Sequence, residues 1–240
     1  MGIRFSVNEV FFDRWSNEMA YVLGFLYADG SMEDAPRIRG RYVRVTNTDK
    51  DRIITIKRLL GSRHTITKDH TDRGHKTRYL LRIGNQSLYD RLVVLGLTPR
   101  KSLTMLFPTV PRKYLGTFTR GYFDGDGCVH LEMNVSGTPK KLLTAFTSGS
   151  KAFLIRLHEL LRAEIGIIGP GLYAHGSAKG IYQLRYSSAD SVRLFKLMYA
   201  LPMERGLFLR RKYAIFTRYF RLHAASKRSR LKFDGLVVKK

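Results

Sequence analysis

Two stretches decide how this chain folds: MAYVLGFLYADGSM (residues 19–32) and LGTFTRGYFDGDGCV (residues 115–129). Each is an apolar run that stops on Asp-Gly. Aligned on the final glycine, VLGFLYADG (22–30) lies over TRGYFDGDG (119–127). Gly24 then matches Gly121, Ala28 matches Gly125, Asp29 matches Asp126 and Gly30 matches Gly127. Small residues four apart share one helical face. The two segments therefore predict helices whose backbones approach closely along a small-residue strip, a steric effect best known in membranes but general in cause. Packed that way, their C-terminal ends meet and Asp29 and Asp126 become neighbours. The position is costly for two carboxylates. They repel each other, and each sits at the negative end of a helix dipole beside free last-turn carbonyls. A divalent cation relieves both problems, and Mg²⁺ prefers carboxylate, carbonyl and water oxygens. The pattern predicts a metal site of Asp29, Asp126 and nearby backbone carbonyls, suited to in-line hydrolysis of a phosphodiester.

Charge supplies the partner. The 240 residues hold 43 Lys and Arg against 19 Asp and Glu, a formal net charge of +24. A compact chain this basic repels itself and expects a polyanion, DNA or RNA before a membrane surface, because the basic residues do not gather on one amphipathic helix. A hydrophobic content of 44%, with 13 Tyr and 14 Phe, is enough for packed cores and argues against a disordered chain. The single cysteine, Cys128, allows no disulfide within the chain and fits a reducing compartment. It reads as a small buried strand residue. The histidines show no zinc-like spacing with it. No apolar run approaches a membrane span, and MGIRFSVNEVFF lacks the features of a signal peptide, so the expected location is intracellular, with DNA.

The rest of the chain repeats. Residues 17–28 predict a helix capped by Ser16, 36–47 a strand, 49–60 a helix ending at Gly61, 64–69 and 77–84 a strand pair, and 86–95 a helix ending at Gly96. In the second half, residues 114–125 predict a helix, 129–135 and 142–148 strands, 151–166 a helix, 170–175 and 180–187 strands, 188–200 a helix and 206–222 another. The expected fold is α+β. It has two pseudo-symmetric αββαββα repeats, each with an antiparallel sheet, joined near the Pro-bearing segment 105–113. Domain limits fall at 1–107, 108–225 and a basic tail, 226–240, either an arm for phosphates or a disordered end. Alternation puts Arg37, Arg39 and Arg41 on one strand face, Arg78 and Arg82 on another, and His130 and Asn134 opposite Val129, Leu131, Met133 and Val135.

With the two motif copies, the spacing, and the bridge GLTPRKSLTMLFPTVP (96–111) in view, residues 15–222 resemble the LAGLIDADG homing endonucleases in their single-chain, two-motif form. The resemblance implies a monomer with motif helices at the central interface and sheets forming a saddle over double-stranded DNA with a long target site. It also implies cleavage of both strands across the minor groove to leave short 3′ overhangs. By the same resemblance Asp29 and Asp126 are the metal-binding catalytic acids, with the carbonyls of Ala28 and Gly125 as helpers. Lys101 in PRKS and Lys212 in RRKY are the basic residues beside the scissile phosphates. Asn47 and Gln183 are candidates to position water. Arg37, Arg39, Arg41, Arg78, Arg82, His130, Asn134, Gln183 and Arg185 are candidate DNA contacts. The implied cofactor is Mg²⁺, with Mn²⁺ as a substitute. Tyr27 stands where the family often has a first acid, a place that Asp124 keeps in the second copy. The alternatives are an RNA maturase, or a regulator that binds DNA on this scaffold without cutting. The ends lack protein-splicing junctions, so a freestanding or intron-borne enzyme is expected over an intein.

Overall fold

The computed structural model describes residues 5–35, 40–69, 77–169, 172–174, 180–199 and 206–234. The first half runs α1 (Asn17–Asp29), β1 (Gly30–Ala35), β2 (Gly40–Asn47), α2 (Lys50–Leu59), β3 (Ile66–Asp69), β4 (Arg78–Gly84) and α3 (Gln86–Val94). Two short 3₁₀ turns, Lys101–Leu103 and Arg112–Tyr114, carry the chain across. The second half runs α4 (Leu115–Asp126), β5 (Gly127–Met133), β6 (Pro139–Ser148), α5 (Lys151–Ile165), β7 (Leu172–Ala174), β8 (Tyr182–Tyr186), α6 (Ser188–Tyr199) and α7 (Arg210–Asp234). Each half holds one antiparallel four-stranded sheet, ordered β1-β2-β4-β3 and β5-β6-β8-β7. The αββαββα repeat is present twice.

α1 and α4 pack against each other at the centre. Ser16 caps α1 by accepting from the Met19 N–H at 3.1 Å. From Met19 to Tyr27 every residue of α1 is buried, and from Leu115 to Asp124 so is every residue of α4. Helices this enclosed lack a solvated face, so even the polar residues of α4, Arg120 and Asp124 among them, are buried. The strip of small residues is what lets them touch. A Cβ on Gly24 would collide with the Phe118 carbonyl, and one on Gly121 with the Tyr21 carbonyl. Gly125 abuts Ala28 in the same way. An aromatic cluster closes around them: Tyr27, Phe118, Tyr122 and Phe153 from both halves, with Phe123 and Phe216 under the second sheet.

Four expectations are corrected here. β1, GSMEDA, is absent from the reading of the sequence because Gly, Asp and Glu are poor strand formers; pairing with β2 supplies what propensity does not. β5 ends at Met133, so Asn134 and Val135 lie in the hairpin turn, and Val135 is fully exposed instead of facing the core. Cys128 is exposed, not buried. α7 runs from Arg210 to Asp234, past the end at residue 222 that the sequence predicts for its last helix. Among the described residues no helix is long and apolar enough to cross a membrane.

Candidate active site

α1 and α4 end side by side, and each ends on its Asp-Gly. Gly30 and Gly127 leave the helix in extended conformation and open β1 and β5, so each aspartate stands at a helix-to-strand junction. Asp29 and Asp126 are both half-buried. Burial, followed by the charge of Asp126, pushes the Asp29 carboxyl up to about 6. Burial likewise raises Asp126, opposed by Lys101 and Lys212. A Cβ on Gly125 would come within 3.1 Å of Asp29 Oδ2, so the glycine makes room for its neighbour's carboxylate. The two acids expected to meet are brought together.

Two buried lysines cap the same helix ends. Lys101 donates from Nζ to the Tyr27 carbonyl at 2.5 Å and the Ala28 carbonyl at 3.3 Å. Lys212 donates to the carbonyls of Phe123 at 2.6 Å, Asp124 at 2.9 Å and Gly127 at 2.6 Å. They stand at 5% and 4% exposure, and desolvation lowers each to about 8. Cations satisfying last-turn carbonyls are what a helix C-terminus favours. The aspartates oppose the desolvation: Lys101 is held up by Asp126 and then Asp29, and Lys212 by Asp124 and Asp29 among others. Gly125 stands in sequence between Asp124 and Gly127, whose carbonyls Lys212 takes. The Ala28 carbonyl is shared with Lys101.

The remaining polar contacts are unequal. Asn47 donates from Nδ2 to Asp29 Oδ2 at 2.6 Å, while its Oδ1 accepts from the Asp49 N–H at 2.7 Å. Ser148, at the end of β6, makes the second interaction only, accepting from the Ser150 N–H at 3.0 Å. Ser148, not Gln183, is thus the counterpart of Asn47. Gln183 instead donates to Thr147 Oγ1 at 3.0 Å and accepts from Arg185 Nε at 2.9 Å, on the outer sheet face. Two residues before Asp29, Tyr27 donates to the Leu95 carbonyl at 2.7 Å. Asp124 accepts from Tyr21 Oη at 2.7 Å and from the Leu209 N–H at 2.8 Å. Both are turned into the packing around the helices, which explains how an acid and a phenol can occupy matching places.

Among the described residues no three His, Cys, Asp or Glu side chains cluster as a metal cage. The donor set nevertheless fits a hard divalent cation. Two adjacent carboxylates resist ionisation together, and carbonyl oxygens lie at the same helix ends. A cation held there would need further oxygens from outside the protein.

The sheets turn one face to the helices and one away. In the first sheet Val43, Val45, Leu81 and Ile83 face inward, so Arg78 and Arg82 lie on the open face. Arg41 shares the parity of Val43 and lies on the helix side, where it donates to Asp90 Oδ1 at 3.0 Å and stacks over Tyr89. The expectation that Arg41 joins a DNA-facing row is corrected. Arg37 and Arg39 lie outside the described residues. In the second sheet His130, Gln183 and Arg185 lie on the open face, with Arg185 near the Tyr173 ring. Asn134 sits in the turn, bonded to Thr138 Oγ1 at 3.0 Å. The open face also carries Glu33, Tyr42 and Arg44, which the reading of the sequence passed over. The signal was present. Val43 and Val45 fix which residues of β2 point inward, and that parity selects Tyr42 and Arg44 over Arg41.

Known proteins share this arrangement. The LAGLIDADG-like domain model matches the chain twice, over residues 16–93 and 113–198. No curated protein sequence matches it. A mesophilic variant of the homing endonuclease I-DmoI superposes with a TM-score of 0.55 at 17% identity, covering 78% of this chain and 98% of that one. I-DmoI has also been solved in complex with DNA and Mn, and with DNA and Ca. The homing endonuclease I-WcaI bound to its DNA recognition sequence gives 0.56 at 11% identity over 84% of this chain and 88% of its own. I-GzeII in complex with its DNA target gives 0.57 at 10% identity, over 90% and 94%. With two family matches that each contain one motif helix and its sheet, this chain belongs to the LAGLIDADG family as a two-motif, single-chain member.

Proposed function

We propose that the chain is a site-specific, divalent-metal-dependent DNA endonuclease. It hydrolyses one phosphodiester bond on each strand across the minor groove and leaves short 3′ overhangs. The observation that carries this reading is the meeting of Asp29 and Asp126 at paired helix ends, each end capped by a buried lysine. A protein that only binds nucleic acid gains nothing from two half-buried, mutually repelling carboxylates. The solved relatives bound to DNA, some with Mn or Ca, are consistent with it.

Asp29, Asp126 and the carbonyls of Ala28 and Gly125 would hold the cation, Mg²⁺ with Mn²⁺ able to substitute. When bound, it supplies Lewis-acid charge and activates water. The chain's own residues do the rest. Asn47 orients the Asp29 carboxylate through its hydrogen bond to Oδ2. Lys101 and Lys212 bring fixed positive charge to where the phosphorane develops negative charge. Their anchoring to helix carbonyls means little reorganisation is needed at reaction. Arg78, Arg82, His130, Gln183 and Arg185 bear on the duplex from the open faces, some on base edges and some on phosphates.

Plasmid carrying the DNA that flanks the gene, rejoined, is incubated with the protein and Mg²⁺. A single linear product that is lost for Asp29→Asn and for Asp126→Asn is expected. Tight binding without cutting in Mg²⁺ or Mn²⁺ would turn the assignment to a DNA-binding regulator. Preference for folded intron RNA over duplex would turn it to a maturase. Binding should weaken steeply with salt, as for any protein that neutralises many phosphates.

A further inference from the structure

The middle of the first sheet's open face carries a built cluster. Arg82 donates from Nε to Glu33 Oε2 at 3.2 Å and from Nη2 to Glu33 Oε1 at 2.9 Å, a two-point pair. Its guanidinium carbon lies 3.5 Å from the centroid of the Tyr42 ring. That ring lies flat because Gly40 and Gly84 have no side chains: a Cβ at Gly84 would be 2.9 Å from the Tyr42 ring, and one at Gly40 would be closer still. Neither glycine has a left-handed backbone, so space and not conformation is the reason for them. Arg44 pairs across the strands with Arg82 and stands 3.8 Å from Glu33 Oε2.

An acid on this face needs explaining. In a chain of net charge +24, a carboxylate turned toward a polyanion weakens binding. Its geometry supplies the reason. A guanidinium has five N–H donors in one plane. Glu33 takes one from Nε and one from Nη2, and Tyr42 fixes the plane. The Nη1 group and the second Nη2 hydrogen are left as a fork with its orientation set in advance. Such a fork matches the O6 and N7 acceptors of guanine in the major groove.

We propose that Arg82 reads a guanine, and that Glu33 and Tyr42 are positioning residues that lock the arginine for that contact. The inference rests on the reading of the chain as a DNA-binding protein and names a base class for one of its contacts. It also assigns a purpose to an unfavourable charge. Affinity is given up and discrimination is gained, because a pre-oriented side chain loses less freedom on binding.

The test is selection from randomised duplexes with the full chain, with Ca²⁺ replacing Mg²⁺. The selected sites are expected to carry an invariant G·C pair at one position. Arg82→Ala and Glu33→Gln should both lose preference at that same pair, by about 5- to 150-fold. Glu33→Gln should meanwhile bind random duplex as tightly as the unaltered chain or more tightly, since one negative charge is gone. Tyr42→Leu should weaken the same preference without altering the others. An unchanged G·C preference in Glu33→Gln overturns the proposal, as does an even loss over all positions. An unaltered chain that enriches no sequence overturns the DNA reading itself, and the proposal with it.

Discussion

Asn47 donates a 2.6 Å hydrogen bond to Asp29, and Ser148, its counterpart in the other half, makes no such bond to Asp126. The two halves are alike in backbone and unequal in chemistry. Residues that orient a metal ligand are typically worth about 10- to 100-fold in metal affinity or activity. Asn47→Ala is therefore expected to slow cutting by about that factor. The loss should be concentrated on one strand, so that nicked circular plasmid accumulates on a gel. Equal slowing of both strands would mean that Asn47 acts on the fold and not on its carboxylate.

The carboxylate pair is expected to cost stability. Burial and Asp126 hold Asp29 at about 6 against an ordinary 3.8. Discounting for partial exposure, ionising it in the metal-free protein costs on the order of 1–2 kcal/mol. Asp29→Asn should raise the Tm of the metal-free chain by about 2–6 °C while abolishing cleavage. A fall in Tm would show that the Asn47 hydrogen bond and the charges of Lys212 and Lys101 outweigh burial and the repulsion from Asp126.

The sign of the pH effect follows from the same shift. A carboxyl whose folded value is raised stabilises the fold while neutral, below about 4. It loses that contribution as pH rises through about 6. Metal-free protein should thus lose stability from Asp29 between those values. A cation binds the ionised pair, so added Mg²⁺ should raise Tm more at pH 7 than at pH 5. Calorimetry at both values, with and without the cation, checks it. A cation effect that is the same at both would remove the carboxylates from the binding site.

Much of this was legible in the sequence because the decisive constraints are local or repeated. Gly24 and Gly121 reveal a helix crossing, since only glycine admits a carbonyl at that distance. Asp29 and Asp126 follow from the same alignment, and Lys101 and Lys212 from the family resemblance, with their matching phases in PRKS and RRKY to choose them. What escaped was set by pairing. β1 is made a strand by β2, not by its own residues. Arg41 was assigned by counting along a row of arginines, when Val43 and Val45 fix the parity. The Glu33–Arg82 contact joins residues on separate strands, and no spacing along the chain announces it.

The helix crossing itself is testable. Gly24→Ala and Gly121→Ala each drive a methyl into a backbone carbonyl, which cannot rotate away as a side chain can. Each should destabilise by at least about 2 kcal/mol, measured by urea unfolding. A mutation on an exposed face, such as Ile54→Ala in α2, should cost far less. Near-equal effects would mean that α1 and α4 are not held in close contact in solution.

The placement of Lys101 depends on the other half of the molecule. Its 3₁₀ turn rests on Gly149, where a Cβ would collide with the Ser102 carbonyl and lie 3.1 Å from Leu103 Cδ2. Just before it, Arg100 holds φ at 58°, the left-handed region that side chains disfavour by about 1–2 kcal/mol. Such a backbone persists only where its surroundings enforce it. The turn is therefore pinned from both sides, and Lys101 reaches the end of α1 from a seat built by the loop between β6 and α5. Gly149→Ala should push the turn away and withdraw the ammonium from Tyr27 and Ala28. A displacement near 1 Å can cost about 100-fold in rate. On the role proposed for Lys101, cleavage of one strand should fall on that scale. DNA affinity in Ca²⁺ and the cut governed by Lys212 should stay near their original values, because neither depends on this seat. Arg100→Gly, which removes the strained side chain without touching the contact, should keep both cuts. Full-rate cutting by Gly149→Ala would show that the contact does not set the lysine's position.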